Sequence, residues 1–326
     1  MVAVHSTARG PALGGCRMWT YDDSRSAVRD VLRLSRAMTF KAAVAGLPLG
    51  GGKGVIMRRP GDALDAARRR DVLLDFADTV DALDGRYLTA EDVGTSDADM
   101  AIIAERTSHV TGLAEESGGS GDPSPWTALG VEAALRVACD RVWGTESLEG
   151  RRIAVIGLGR VGGHLARMLA DGGADLLVAD IDPGKEALAR ELGAEWTDPD
   201  TALRADVDVL APCALGGVFD DRTVPELRCR AIAGAANNQL ATEGIADLLS
   251  SRGILWAPDF VANAGGIINI QVELEAAGYA RERAEPAVRG IGATMRQIFD
   301  DAAAIGATPL TAAMELARRR LAEAVA

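Results

Sequence analysis

A chain of 326 residues, nearly half of them apolar, is long enough for two domains with a core in each. Its 35 basic and 47 acidic side chains leave a net charge of −12, a field that repels phosphate backbones and anionic lipid, so neither nucleic acid nor a membrane surface is expected as a partner. The four cysteines (Cys16, Cys139, Cys213, Cys229) are dispersed without CxxC spacing, which argues for buried free thiols in a reducing compartment, and three histidines without HExxH leave little for a zinc hydrolase or a histidine triad.

In chain order, VAVHST alternates as a strand does, and SAVRDVLRLSRAMTF predicts a helix with Val28, Val31, Leu32, Ser35 and Met38 on one, mainly apolar, face. A strand-like GVIM follows, then an amphipathic helix from about Ala63 to Leu83, an extended YLTAEDVG and a helix through Met100. The Gly/Ser/Pro-dense EESGGSGDPSP reads as the linker, placing a first domain over residues 1–122. Beyond it, Ser124 and Pro125 open a helix, and RRIAVIGLGRVGGHLARMLADGGADLLVADID runs strand, glycine turn, helix, strand. The rhythm continues in DVDVLAPCA, RAIAGAANN and ILWAPDF, and the last segments are helical. The expected fold is α/β: an N-terminal α/β substrate domain, then a doubly wound parallel Rossmann domain over 123–304, with a cleft between them as the natural site. No apolar run is long enough to span a bilayer, and the N-terminus has no secretory pattern, so a cytoplasmic protein is expected.

Within VIGLGRVGG, Gly157, Gly159 and Gly162 form G-x-G-x-x-G directly after a buried-strand pattern and before a helix, the context that dinucleotide binding requires. Leu158, Arg160 and Val161 complete that turn. Asp180 ends the next strand where a ribose-binding carboxylate belongs, and Ile181 rather than an arginine follows it, which favours NAD over NADP.

In FKAAVAGLPLGGGKGV, Lys41 and Lys53 stand in a nearly bare, apolar stretch. Two ammonium groups held close repel each other, so that one sheds its proton near neutrality and serves in acid–base catalysis while the other grips an anion. Gly50, Gly51 and Gly52 are expected to leave no side chain between the backbone and a substrate beside Lys53. The partner carboxylate comes from YLTAEDVGTSDADM, where Glu91, Asp92, Asp97 and Asp99 compete; Asp97 and Asp99 suit a helix start, and Asp92 is preferred.

GPALGGCRMW, AMTFKAAVAGLPLGGGKGV, YLTAEDVGTSDADM, APCALGG, AGAANNQLA and APDFVANAGGIIN occur in this order, and together they resemble the Glu/Leu/Phe/Val amino-acid dehydrogenases, most closely the valine and leucine branch. The resemblance implies that Lys41 binds the substrate α-carboxylate, that Lys53 and Asp92 are catalytic, and that Gly14 and Gly15 line the substrate with backbone. It places Thr127 and Asn238 near substrate and nicotinamide, and Asn237 and Asn263 at the carboxamide of the cofactor. It implies NAD-dependent oxidative deamination of an amino acid to a 2-oxo acid and ammonia, a homo-oligomer, and a C-terminal helix, 305–326, packed back on the first domain.

In the glutamate members a lysine precedes the Gly-Gly pair and a serine follows the NAGG motif; here Leu13 and Ile270 hold those positions. Two aliphatic side chains cannot pair a second carboxylate, so the implied pocket of Leu13, Ala90, Ile267 and Ile270 suits valine, leucine or isoleucine. Bulky Ile267 disfavours phenylalanine, the alternative substrate. The family's first domain ordinarily begins a few dozen residues earlier, which leaves a non-catalytic NAD-binding homologue as a further alternative.

Overall fold

The structure, a computed structural model, describes residues 1–62 and 64–324. The expected helix start at Ala63 and the last two residues of the expected C-terminal helix lie outside the described residues. The chain folds as two compact units: residues 1–123, 267–283 and 317–326 form one, and residues 124–266 and 284–316 form the other.

The first unit opens with β1 (Val2–Ser6), β2 (Ala12–Thr20), α1 (Ser24–Val44), β3 (Gly50–Arg58), α2 (Ala66–Asp81), β4 (Tyr87–Glu91) and α3 (Asp97–Ala104). Its sheet has the order β1-β3-β2-β4, with β1 antiparallel to β3 and the other pairs parallel. Each helix starts where a short acceptor takes over an orphan N–H: the Asp23 side chain accepts from Ser26 N, Asp65 from Arg68 N, and Ser96 with Asp99 closes a capping box. Each such cap stabilises its helix by about 0.5–2 kcal/mol.

The second unit contains α4 (Ser124–Trp143), β5 (Arg152–Ile156), α5 (Arg160–Asp171), β6 (Asp175–Ala179), α6 (Glu186–Leu192), β7 (Glu195–Thr197), α7 (Pro199–Arg204), β8 (Val209–Pro212), β9 (Ala231–Ile232), α8 (Ile245–Ser251), β10 (Leu255–Trp256) and α9 (Asp259–Ala262). Its all-parallel sheet runs β10-β9-β8-β5-β6-β7, the doubly wound order, with the sequence turning back from β5. Strands buried on both faces explain the unbroken apolar runs IAVI, LLVA and VLAP. The C-terminal part is helical: α10 (Gly265–Glu273), α11 (Arg281–Arg289), α12 (Ile291–Ile305) and α13 (Pro309–Glu323).

Three expectations need correction. On α1, Val31 and Ser35 are buried, but Val28 and Leu32 are 44% and 56% exposed. The buried face instead carries Leu34 together with Ala27, Thr39, Ala42 and Ala43, four small residues that let the helix lie close on a glycine-rich strand. Second, residues 267–283 belong to the first unit rather than to the Rossmann segment. Asn269 Nδ2 donates to Ser120 O at 3.0 Å, and the Glu273 carboxylate accepts from the Gly112 and Ser120 amides and the Ser120 hydroxyl. Third, of the expected C-terminal segment only 317 onward groups with the first unit, because Leu310 packs on the core of the second. There, Arg320 donates to Val44 O and Arg9 donates to Arg320 O, so the last helix closes the C-terminal end of α1.

All four cysteines are free. Burial pushes the thiols of Cys139, Cys213 and Cys229 up to about 11, 12 and 12, so they are inert. Among the described residues no helix is long and apolar enough to cross a membrane, and no group of His, Cys, Asp and Glu could hold a metal ion.

Candidate active site

In the first unit, strand register decides which side chains meet. Leu13 lies beside Gly51 on β3 and Leu88 on β4, and Gly15 lies beside Ala90, so Leu13, Gly15 and Arg17 share a sheet face with Gly51, Lys53 and Val55 and with Ala90 and Asp92. Val55 on this face packs with Ala27 and Val31, which identifies it as the face that α1 covers. Lys41 lies in the last turn of that helix and is half-buried.

Lys53 Nζ lies 3.0 Å from Asp92 Oδ2, and Arg17 Nε lies 3.0 Å from the same oxygen. The Lys53 side chain is only 6% exposed, whereas Asp92 keeps 21% and so remains open to a ligand. Burial works against the Asp92 charge, but Lys53 and Arg17 outweigh it and hold the carboxyl below the ordinary carboxylate range. The turn that presents Asp92 is fastened on three sides. Thr95 Oγ1 accepts from Asp92 N and donates to Cys16 O, Met18 N donates to Val93 O, and Gly94, at φ +84°, approaches Met18 O where a Cβ would come within 2.0 Å.

The glycines before Lys53 do not form a bare collar for a substrate. A Cβ on Gly50 would meet Ser6 O at 2.0 Å, one on Gly51 would meet Thr39 N at 2.1 Å, and one on Gly52 would meet the Tyr87 ring at 2.6 Å. They are packing glycines that draw β1, α1 and Tyr87 onto β3 and thereby bury Lys53. The charge partner that this structure gives Lys53 is a carboxylate. Gly14 and Gly15 are also closely packed: Gly14 O accepts from Tyr87 Oη at 2.5 Å, and a Cβ on Gly15 would lie 2.8 Å from Asp92 Cβ. Gly15 is therefore the clearance that admits the Asp92 side chain.

Leu13, Ala90 and Ile270 are buried, at 1%, 4% and 7% exposure, and Ile267 is half-buried one helical turn before Ile270 on α10. All four belong to the first unit, whereas Thr127 on α4, Asn237, Asn238 and Asn263 belong to the second.

In the second unit, Gly157 has φ +99° and a Cβ there would strike Ala214, and one on Gly162 would lie 1.9 Å from Gly157 O. At Gly159, by contrast, a Cβ meets no protein atom within 4 Å, and this residue precedes α5 without a side-chain cap. Open space beside helix N–H groups is what a pyrophosphate needs. Asp180 Oδ2 accepts from Leu158 N at 2.6 Å, tying the end of β6 to the turn. Leu158 is buried, Val161 is half-buried, and Arg160 is exposed on the first turn of α5. Asn263 donates from Nδ2 to Ala235 O and to Asn237 Oδ1, while its buried Oδ1 has no hydrogen-bond partner, an acceptor that suits the amide of a nicotinamide. Asn238 holds a left-handed φ of 52°, and the next residue, Gln239, is fully buried. Gln239 donates to Gly234 O and Ala236 O, accepts from Trp256 Nε1, and its amide donates to Asp259. On these observations the residues fit a nicotinamide dinucleotide.

Sequence reasoning missed Arg17, Asp30 and Gln239. For Arg17 the signal was present: two residues beyond Gly15 on a strand, it must share the face of Gly15. Asp30 and Gln239 had no such signal, because their partners lie on other elements.

A profile described as Glu/Leu/Phe/Val dehydrogenase, dimerisation domain, matches residues 1–109, and one described as Glutamate/Leucine/Phenylalanine/Valine dehydrogenase matches residues 177–326. A profile of the NAD binding domain of D-isomer specific 2-hydroxyacid dehydrogenases matches residues 136–214. Leucine dehydrogenase of Geobacillus stearothermophilus is 45% identical over 98% of this chain and 86% of its own length. Valine dehydrogenase of Streptomyces virginiae is 42% identical over 99% of this chain and 90% of its own. The crystal structure of L-tryptophan dehydrogenase from Nostoc punctiforme superposes with a TM-score of 0.85 at 40% identity, covering 99% of this chain and 92% of that one. The chain, so matched from end to end, belongs to the Glu/Leu/Phe/Val dehydrogenase family, oxidoreductases that act on amino acids with a nicotinamide cofactor.

Proposed function

We propose that the protein catalyses the reversible oxidative deamination of a branched-chain aliphatic L-amino acid, valine, leucine or isoleucine, with NAD as cofactor, releasing the 2-oxo acid and ammonia. The observation that carries this reading is the Lys53–Asp92 pair at 3.0 Å on the sheet face that also holds Leu13 and Ala90. Bound NAD would supply the acceptor for the hydride that leaves the substrate Cα. Lys41 holds the α-carboxylate and the Gly14–Gly15 backbone lines the substrate. Asp92 takes and returns the amino-group proton, and Lys53 acts as the base that activates water against the imine carbon. Leu13, Ala90, Ile267 and Ile270 surround the aliphatic side chain, where a second carboxylate would be left without a counter-ion. The family resemblance supports a nicotinamide-side role for Thr127 and Asn238, and Asn237 and Asn263 would receive the carboxamide.

The dinucleotide would be held by Gly157, Leu158, Gly159, Arg160, Val161 and Gly162, and its ribose by Asp180. Asp180 would repel a 2′-phosphate, which supports NAD over NADP. A homo-oligomer is supported by the dimerisation-domain match and by Trp19, Val28 and Leu32, each 44% or more exposed on the first unit. Its four free thiols support a cytoplasmic location.

The test is the rate of NADH formation, read by absorbance, with L-valine, L-leucine, L-isoleucine, L-phenylalanine and L-tryptophan, and with NADP in place of NAD. Fastest turnover on an aromatic amino acid would overturn the substrate assignment. Tight NADH binding with no turnover of any amino acid would reveal a non-catalytic homologue.

A further inference from the structure

We propose that Arg17 is a positioning residue for this reaction: its guanidinium, shared between Asp92 and Asp30, fixes the Asp92 carboxylate against Lys53 and sets how readily that carboxylate takes a proton. The inference rests on the reading of Asp92 as the group that handles the amino-group proton.

Arg17 Nε donates to Asp92 Oδ2 at 3.0 Å, and Nη1 donates to Asp30 Oδ2 at 3.2 Å. Asp30, on α1, is itself fixed by Tyr21 Oη at 2.7 Å and Arg33 Nη2 at 2.8 Å. The guanidinium therefore bridges a strand-end carboxylate and a helix carboxylate through two of its N–H edges, which a single ammonium cannot do with the same directionality. Both cations on Asp92, Lys53 and Arg17, converge on Oδ2, and Oδ1 is the oxygen these two contacts do not use. The three side chains of the bridge are 17–22% exposed, so solvent screens them only in part.

The charged and titratable groups around Asp92 come from every neighbouring element. β3 supplies Lys53, β2 supplies Arg17 and Cys16, β4 supplies Tyr87, and α1 supplies Asp30 and Arg33 behind Arg17, with Lys41 further along that helix. Burial pushes Cys16 and Tyr87 up, so both are neutral at working pH. The adjustable charges are then Arg17 and the carboxylate that competes for it. Removing Arg17 takes a cation from beside Asp92 and makes its anion less favourable, so its proton is lost at higher pH. Removing the Asp30 charge leaves Arg17 wholly to Asp92, so the proton is lost at lower pH. A residue that merely packed the strand would not produce shifts of opposite sign.

The experiment compares wild type, Arg17→Gln, Arg17→Lys and Asp30→Asn. It measures kcat/KM on the amino acid that wild type accepts best, and the pH titration of the carboxyl resonances of ¹³C-aspartate-labelled protein, Asp92 being the signal missing from Asp92→Asn. Expected are an Asp92 midpoint about one pH unit higher and a lower kcat/KM in Arg17→Gln, a downward shift of the midpoint in Asp30→Asn, and partial return in Arg17→Lys. An Asp92 midpoint unmoved in Arg17→Gln, or moved in the same direction in Asp30→Asn, overturns the proposal. If Arg17→Gln does not fold, an unmoved or upward midpoint in Asp30→Asn overturns it alone. A wild type that oxidises no amino acid would defeat the proposed function, while the carbon-13 titration would still decide the role of Arg17.

Discussion

Gly159→Ala separates a glycine kept for a ligand from a glycine kept for packing. Gly159 has φ −66° and ψ −163°, a conformation alanine adopts freely, and an added Cβ there meets no protein atom within 4 Å. Replacing glycine where the backbone tolerates alanine stabilises by about 0.4–1 kcal/mol through the unfolded chain, and alanine is a poorer helix N-cap than glycine by a similar margin. The two effects nearly cancel, so the melting temperature should stay within about 2 °C of wild type. On the proposed placement of the cofactor the methyl group projects into the space of its pyrophosphate, so NADH affinity should fall at least about tenfold, or ~1.4 kcal/mol. Gly51→Ala is the control in the other direction. Its Cβ would lie 2.1 Å from Thr39 N and 2.5 Å from Thr39 Cα, backbone that cannot turn aside. It should destabilise by about 1–3 kcal/mol or more and lower the melting temperature by several degrees. Thermal melts and NADH fluorescence titration read both quantities. Wild-type NADH affinity in Gly159→Ala would show that no cofactor passes that residue, and early melting would show that it packs against protein after all.

Three other outcomes are expected. Lys53→Ala should keep NADH binding while deamination falls about a hundred- to ten-thousandfold, and an undiminished steady-state rate would remove Lys53 from the mechanism. Leu13→Lys combined with Ile270→Ser should depress kcat/KM for branched-chain substrates at least about a hundredfold, since a cation would stand where Leu13 is 1% exposed; unchanged kinetics would place both residues outside the pocket. Burial opposes the charge on Asp30 and Asp99, but hydrogen bonds from Arg33 and Tyr21 and from Arg69 and Ser96 leave both below the ordinary carboxylate range. Their stabilisation is complete above the unfolded aspartate value of about 3.9 and is lost as pH falls through their folded values. Arg69→Ala should therefore lower the urea midpoint more at pH 7 than at acid pH, and an equal deficit at both would refute the linkage.

Legibility in the sequence followed the range of the interaction involved. The glycine turn could be read because two of its glycines answer constraints within a few residues: the positive φ of Gly157 and the contact of Gly162 with Gly157 O. Asp180 directly follows a strand in the same unit and could be placed by counting. The Lys53–Asp92 pair could not be, because the two residues meet only through the register of β2 between β3 and β4; the family resemblance supplied what spacing left open among four carboxylates.

The same limit explains what was misread. Three glycines in a row look alike whether they clear room for a substrate or for a helix, and only the arrival of Ser6, Thr39 and Tyr87 shows that protein fills the room. On α1, Val28 and Leu32 carry the stronger hydrophobic signal, yet Ala42 and Ala43 are the residues that fit against β3. The chain alone determined the order of elements, the cofactor turn and the chemical types available for catalysis, since these depend on local backbone preference and residue identity. Tertiary structure decided which charges neighbour Asp92 and which glycines are free, because a hydrogen bond or a steric contact between distant residues exists only once sheet register and helix docking have brought them within a few ångströms.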